Sequence, residues 1–410
     1  MKRKHSRLIA ALTSSEADPA SSKRRQRTRR AKVSPQRVHK FVSSLVGDHL
    51  HAKRVVSLSS GVVGVVHAAA LGVHAIGMGL ADAVGLEGKH AVKQVDRLLS
   101  NQGIDVWEEF AAWVPFVIGP RERVLVAMDW TDFDKDDQTT LAMHLVTTHG
   151  RATPLLWMTV QKSELAEQRN AHEDKLLRRL AEVVPKNVEV VVLADRAFGD
   201  QARYEFIEEL GLKFIIRFRE CIVVTIQDGE PQPAADLVPS NGRAMLLKNV
   251  EVTRGRTPVP GVALVKAKAM KEPWCLATNC TDMTAKDLVA AYGRRFTIEE
   301  TFRDTKDPRF GFGLSASRIS APERRDRVFF LSAIAFVLMT LLGAAGEALG
   351  IDKYLKVNTS KKRQHSLLRQ GLMWYNAIPM MEAGRFRRLM TKFGEMIHDH
   401  AVCRRVCGVI

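Results

Sequence analysis

The chain has no Cys-x-x-Cys pair and only five cysteines, Cys221, Cys275, Cys280, Cys403 and Cys407. A zinc ribbon is therefore not expected, and an odd, scattered set does not make a disulfide framework. Cys403 and Cys407 stand one helical turn apart and read as two reduced thiols. The set as a whole points to a reducing, cytoplasmic compartment. No internal repeat is visible. Long apolar runs are also scarce. Met1 to Leu12 has a basic start, but its apolar stretch from Leu8 to Leu12 is too short for a secretory signal. One stretch, Val328 to Gly346 (VFFLSAIAFVLMTLLGAAG), is borderline long enough to cross a membrane. In so basic a chain it reads as a buried core helix, and no membrane partner is expected. Negative charge is the other shortage: 45 acidic residues face 62 basic ones, for a net charge of +17. Such an excess favours a polyanionic partner, nucleic acid before membrane surface.

What is present is an ordinary globular balance, 46% hydrophobic and 26% charged over 410 residues, enough for two or three domains with a large core. Residues 1–34 read as a disordered basic tail around KRRQRTRR (Lys23 to Arg30), a source of nonspecific phosphate affinity. Residues 35–119 are helical in pattern and rich in small residues, with Ser57 or Ser59 as a candidate cap and the Gly85 to Gly88 region as a break. Lys89, His90, Lys93 and Arg97 decorate one amphipathic helix there, and the region is read as DNA-binding.

At Arg123 the pattern turns to strands. RVLVAMDWTDF is followed by Thr139 to Val146 and Thr153 to Val160, joined by a turn at His149-Gly150. A helix over Ser163 to Val184, a strand over Val188 to Ala194, a helix over Gln201 to Leu210 and a strand over Lys213 to Arg219 complete residues 120–220. This order is that of an α/β fold with an RNase H-like catalytic core, a mixed sheet flanked by helices. Residues 221–283 read as a β-rich insertion. Residues 284–349 return to helices as the second part of the core, and residues 350–410 form a basic helical C-terminal region that includes Arg385, Arg387, Arg388, Arg404 and Arg405.

Three carboxylates stand out by position. Asp129 lies inside an apolar strand, where an unpaired charge is costly. Asp195 ends a nearly aliphatic strand, where open sheets present ligand groups. Glu299 lies in YGRRFTIEETFRDTK (Tyr292 to Lys306), which reads as helix for most of its length, with a break at Gly293 left open. At about 100° per residue, Tyr292, Arg295, Glu299 and Lys306 fall within roughly 60° of one another. That face suits a phosphate backbone, with cations on phosphate oxygens and a carboxylate on a metal. The alternative is a solvated face with an i,i+4 Arg295–Glu299 pair. In an RNase H-like sheet the three carboxylates converge, and their mutual repulsion calls for divalent cations. An all-oxygen ligand set favours Mg²⁺, as a pair of ions, over Zn²⁺. Such a pair activates an attacking oxygen and stabilises the leaving one in phosphoryl transfer. Asp132, Asp134, Asp136 and Asp137 read as a polar turn, and Asp200 as a helix cap.

The spacing Y-x2-R-x3-E-x6-K, met by Tyr292, Arg295, Glu299 and Lys306, resembles the Y-R-E-K motif of bacterial DDE transposases of the insertion sequence 4 type. Asp129 in AMDWT and Asp195 in VLADRAFGD resemble that family's first and second catalytic aspartates. The resemblance implies Asp129, Asp195 and Glu299 as catalytic metal ligands for Mg²⁺, with Mn²⁺ able to substitute. It implies Tyr292, Arg295 and Lys306 as contacts to DNA phosphates. Trp274 stands where the family can stack a flipped base, or it packs in the core; Arg196 touches phosphate or pairs with a carboxylate. Cut-and-paste transposition with a hairpin intermediate is further implied. So are terminal inverted repeats and target DNA as partners, a homodimer in the synapse, and a place at the nucleoid. Two rival readings are a catalytically idle DNA-binding relative acting as a regulator and a membrane-associated protein using Val328 to Gly346.

Overall fold

The computed structural model describes residues 33–398 apart from positions 228, 310 and 358. The tail expected over residues 1–34 falls almost wholly outside this range, as do Cys403, Arg404, Arg405 and Cys407. Five helices come first: α1 (Pro35–Val46), α2 (Ala52–Ala68), α3 (Val73–Val84), α4 (Gly88–Leu99) and α5 (Val106–Ile118). Neither Ser57 nor Ser59 caps α2. His51 does, accepting from the Lys53 backbone N–H, while the Ser59 and Ser60 hydroxyls donate back to the carbonyls of Val55 and Val56. Both serines are buried; the local bond serves Ser60, and Ser59 is also hydrogen-bonded to His39 Nδ1 of α1 at 3.1 Å. Gly85, at a φ of +70°, ends α3 as the break requires.

The chain then builds one mixed sheet of ten strands in the order β3-β2-β1-β4-β5-β10-β9-β8-β6-β7. Its first half is β1 (Arg123–Phe133), β2 (Gln138–Leu145), β3 (Thr153–Gln161), β4 (Glu189–Ala194) and β5 (Lys213–Phe218). Helices α6 (Arg169–Val183) and α7 (Gln201–Glu209) make the crossovers. β1 pairs antiparallel with β2 and parallel with β4, and β4 pairs parallel with β5. This is the RNase H-like α/β arrangement. Helix α6 begins six residues later than the periodicity suggests. Lys162 is drawn to Asp132 and Asp134, Ser163 donates to Asp137, and Glu167 takes a positive φ of 64°. These bonds hold residues 163–168 against the β1–β2 turn instead of in the helix.

Residues 221–283 supply β6 (Val223–Ile226), β7 (Gln232–Pro233), β8 (Met245–Val252), β9 (Thr257–Val265) and β10 (Trp274–Thr278). They do not form a sheet of their own. β10 pairs antiparallel with β5, Cys275 opposite Phe218 and Thr278 opposite Ile215, so the insertion extends the central sheet. An uncovered β5 edge would present unpaired backbone groups, and β10 removes that edge.

Helices α8 (Ala285–Gly293) and α9 (Thr297–Lys306) follow, joined by a 3₁₀ turn over Arg294–Phe296. Then come α10 (Pro322–Ala348), α11 (Leu367–Ala377) and α12 (Ala383–His398). α10 is the only helix among the described residues long and apolar enough to cross a membrane, and its apolar window is entirely buried within the protein. A helix apolar on every face needs protein or lipid on every face, and here the sheet and the neighbouring helices supply it. Arg327 fastens α10 to the N-terminal helices by donating to the carbonyls of Leu99 and Ile104.

Helix α5 carries a buried acid, Glu109, only 4% exposed, whose Oε2 has no hydrogen-bond partner among the described residues. Burial, reinforced by Asp105 and Glu108, pushes its carboxyl up to about 7. A carboxyl raised above its unfolded value favours folding while protonated, and that contribution is lost as pH rises through 7. Glu109→Gln is therefore expected to flatten the pH dependence of thermal unfolding between pH 5 and 8. At pH 8 it should raise stability by about 1–3 kcal/mol. Unfolding midpoints at the two pH values check this.

Candidate active site

Strand register brings the two aspartates together. In the parallel pair β1–β4, Ala127 stands opposite Leu193, the last paired row. Two residues further along each strand lie Asp129 and Asp195. A step of two keeps a side chain on the same face, and neighbouring strands run about 4.8 Å apart. Both carboxylates thus emerge side by side, Asp195 just past the carboxyl end of β4 and Asp129 just past the last β1 row paired with it. Asp195 also starts a short 3₁₀ turn, its Oδ1 accepting from the Ala197 N–H at 2.8 Å. Asp129 Oδ1 accepts from the Trp130 N–H at 2.9 Å.

The third carboxylate arrives on α9. Gly293 does not break the chain's helical course. It keeps a right-handed conformation (φ −58°, ψ −27°), and the backbone tightens into the 3₁₀ turn before α9. The stretch from Tyr292 to Lys306 is thus two α-helical pieces around one tight turn. Arg295 lies in that turn, 4% exposed, and reaches both other elements. Its Nη1 donates to Asp129 Oδ2 at 3.2 Å and its Nη2 to Glu299 Oε1 at 2.8 Å. The i,i+4 pair of the sequence reading is present, and the same guanidinium bridges to the strand.

The electrostatics follow from this crowding. Burial pushes Asp129 up to about 6; Asp195 and Glu299 add repulsion, while Arg295 and the Trp130 N–H oppose it. Burial works against the charge of Arg295, but Tyr292, Asp129, Glu299 and Asp195 outweigh it and hold the guanidinium above its ordinary value. All three carboxylates therefore act on one cation. Tyr292 is buried, its ring 5.9 Å from the Arg295 guanidinium carbon and edge-on to Trp274 at 4.9 Å. Lys306 stands apart from this cluster. Its Nζ donates to the Asp132 carbonyl at 2.7 Å and to Thr131 Oγ1 at 3.2 Å, over the ring of Phe133. Burial lowers its pKa.

Trp274 is half-buried and packs against Tyr292 and Phe296, the latter 42% exposed. Arg196 pairs with Glu272 at 3.3 Å. Sequence reasoning missed Arg217, which binds the same Glu272 at 2.8 Å and the Pro273 carbonyl at 3.3 Å. The signal was a lone arginine in the apolar run KFIIRF. The neighbouring acids are otherwise engaged. Asp132 and Asp134 hold Lys162, Asp136 binds Arg325, and Asp200 caps α7 by accepting from Ala202. Glu300 turns to Arg151 and Arg303.

Among the described residues, no group of three or more His, Cys, Asp or Glu side chains is drawn together closely enough to hold a metal ion as the side chains stand. Arg295 takes up an oxygen of Asp129 and one of Glu299. The donor set itself is all carboxylate, carries more negative charge than one guanidinium neutralises, and fits a hard divalent cation. A family model described as the transposase DDE domain matches residues 120–338, from just before β1 into α10. No curated protein matches the chain at a significant level.

Proposed function

The chain belongs to the transposase DDE domain family, and from that premise we propose that it moves an insertion sequence by cut-and-paste. The observation that carries this reading is the meeting of Asp129, Asp195 and Glu299 around Arg295, in the order strand, strand, late helix. We assign these three carboxylates as ligands of divalent cations, Mg²⁺ in the cell and Mn²⁺ as a substitute. Bound there, the cations would supply Lewis-acid activation of the attacking and leaving oxygens. Arg295 has a second role in this scheme. It neutralises Asp129 and Glu299 while no cation is present, and it offers its donors to a DNA phosphate once one is.

Tyr292 and Lys306 would complete the phosphate contacts, the phenol beside Arg295 and the ammonium at the far end of α9. Arg196 would exchange Glu272 for phosphate, an exchange that its exposed ion pair permits at little cost. Trp274 would stack a displaced base, using the face not taken up by Tyr292 and Phe296. In the first step water attacks the phosphorus and the P–O3′ bond breaks, leaving a 3′-hydroxyl and a 5′-phosphate. The 3′-hydroxyl then attacks a phosphodiester of the opposite strand, forming the hairpin and releasing the flanking DNA with its own 3′-hydroxyl; water reopens the hairpin, and the regenerated 3′-hydroxyl attacks a target phosphodiester, displacing a target 3′-hydroxyl. The Y-R-E-K spacing supports membership of the insertion sequence 4 type and hence the hairpin. Terminal inverted repeats would be held by the N-terminal helices and the basic C-terminal region, with two protomers pairing two ends at the nucleoid.

The test uses duplexes carrying the inverted repeats that flank the coding region. Purified protein with Mg²⁺ or Mn²⁺ is expected to nick them at the element's end, and EDTA to stop it. Binding without nicking in either metal would leave the idle, regulatory relative as the better reading.

A further inference from the structure

The strand that carries Asp129 makes a second polar contact on its other face. Trp130 follows Asp129 and so points to the opposite side of the sheet. Its indole N–H donates to Glu173 Oε1 at 2.8 Å. Glu173 is 1% exposed, and its Oε2 pairs with Arg203 Nη2 at 2.7 Å. Arg203 also donates to Asp174 Oδ1 at 2.7 Å and to Asn170 Oδ1 at 3.2 Å. The Arg169 guanidinium covers the Trp130 ring at 5.1 Å.

Two features make this network more than packing. The backbone N–H of Trp130 is the donor that orients Asp129 Oδ1. Tethering the indole therefore fixes the peptide that aims the catalytic carboxylate. At the other end, Arg203 sits in the first turn of α7, whose cap Asp200 closes the short loop behind Asp195. One buried path thus runs from the strand of Asp129, through α6, to the helix that anchors the loop of Asp195. A buried ion pair is a costly way to fill such a space, since apolar side chains of similar volume pack there without desolvating charge.

We propose that Trp130, Glu173 and Arg203 are positioning residues that set the spacing and aim of Asp129 and Asp195, and through them the cation affinity of the site. This rests on the assignment of those aspartates as metal ligands. Residues that orient metal ligands commonly change affinity by about tenfold to a hundredfold when replaced.

The experiment compares full-length wild type with Trp130→Phe and Glu173→Gln. Leu180→Ala, at a fully buried apolar position on the same helix, serves as a packing control. Mn²⁺ binding is read by electron paramagnetic resonance, nicking is measured across a Mg²⁺ series, and thermal midpoints are recorded. Trp130→Phe and Glu173→Gln should weaken Mn²⁺ binding about tenfold or more. They should raise the Mg²⁺ needed for half-maximal nicking in parallel, with most of the rate recovered at saturation. Leu180→Ala should lower the midpoint and leave Mn²⁺ affinity unchanged. Wild-type Mn²⁺ affinity in both network variants overturns the inference, as does an equal shift in Leu180→Ala. Should Glu173→Gln fail to fold, Trp130→Phe, which keeps the ion pair, decides alone. Wild type that binds no Mn²⁺ overturns the metal assignment and this inference together.

Discussion

Alanine at Glu299 or at Asp195 is expected to lower DNA nicking by about three orders of magnitude or more, with affinity for end DNA held within a few-fold. Each carboxylate is assigned charge stabilisation worth several kcal/mol in the transition state, and about 1.4 kcal/mol is tenfold in rate. Neither substitution should unfold the chain. The Glu299 side chain is 51% exposed, and after its removal Arg295 still holds Asp129 at 3.2 Å. Asp195 contributes a cap to a 3₁₀ turn of three residues, a local bond worth about 1 kcal/mol. The same substitution at Asp129 is less clean, because it takes a strand partner from Arg295, which is 4% exposed. Nicking assays beside mobility shifts in EDTA separate the two effects. Nicking that survives either Glu299→Ala or Asp195→Ala would remove these residues from the chemistry.

How much of this site is legible in the sequence depends on the range of the interaction. Asp129 and Asp195 announce themselves because a lone acid in or after an aliphatic strand has few structural uses. Their adjacency does not, since it depends on the register of two strands separated by the whole of β2, β3 and α6. Arg295 shows the same division. Its bond to Glu299 is readable as an i,i+4 pair, whereas its bond to Asp129 spans 166 positions. Glu173 looks like any charged residue of an amphipathic helix until Trp130 and Arg203 close around it. The insertion is a further case. Alternation identifies its strands, but nothing local to residues 221–283 says that β10 joins the open edge of β5. Element boundaries fail for a related reason. Residues 163–168 have helical composition, and only the acids of the β1–β2 turn, distant in chain order, draw them out of α6.

The largest expected loss of stability lies at Arg325, in the first turn of α10. Its side chain is 0% exposed, and it fixes that helix to the β1–β2 turn by three contacts. Nη2 meets Asp136 Oδ2 at 2.6 Å, Nε meets Gln138 Oε1 at 2.6 Å, and the guanidinium lies 3.9 Å over Phe133. Arg325→Ala leaves Asp136, whose side chain is 7% exposed, with only the exposed Arg318 guanidinium at 3.8 Å and the Ile319 N–H at 3.2 Å. Removing one partner of a buried pair costs about 3–5 kcal/mol, because the remaining charge stays desolvated. Arg325→Lys should recover only part of this. A lysine keeps the charge but loses the planar fork that serves Asp136 and Gln138 together. The effect should reach the active site as well. Asp132, in β1 one residue before its end and beside that turn, accepts from Lys306 through its carbonyl at 2.7 Å, so a loosened turn would release the far end of the proposed phosphate-binding face. Denaturant unfolding of Arg325→Ala, Asp136→Ala and the double variant measures the pair directly. The double variant should be less destabilised than the sum of the singles. A loss of less than about 1 kcal/mol in Arg325→Ala would mean that water or Arg318 satisfies Asp136 once Arg325 is gone, and that the turn is not held by this pair.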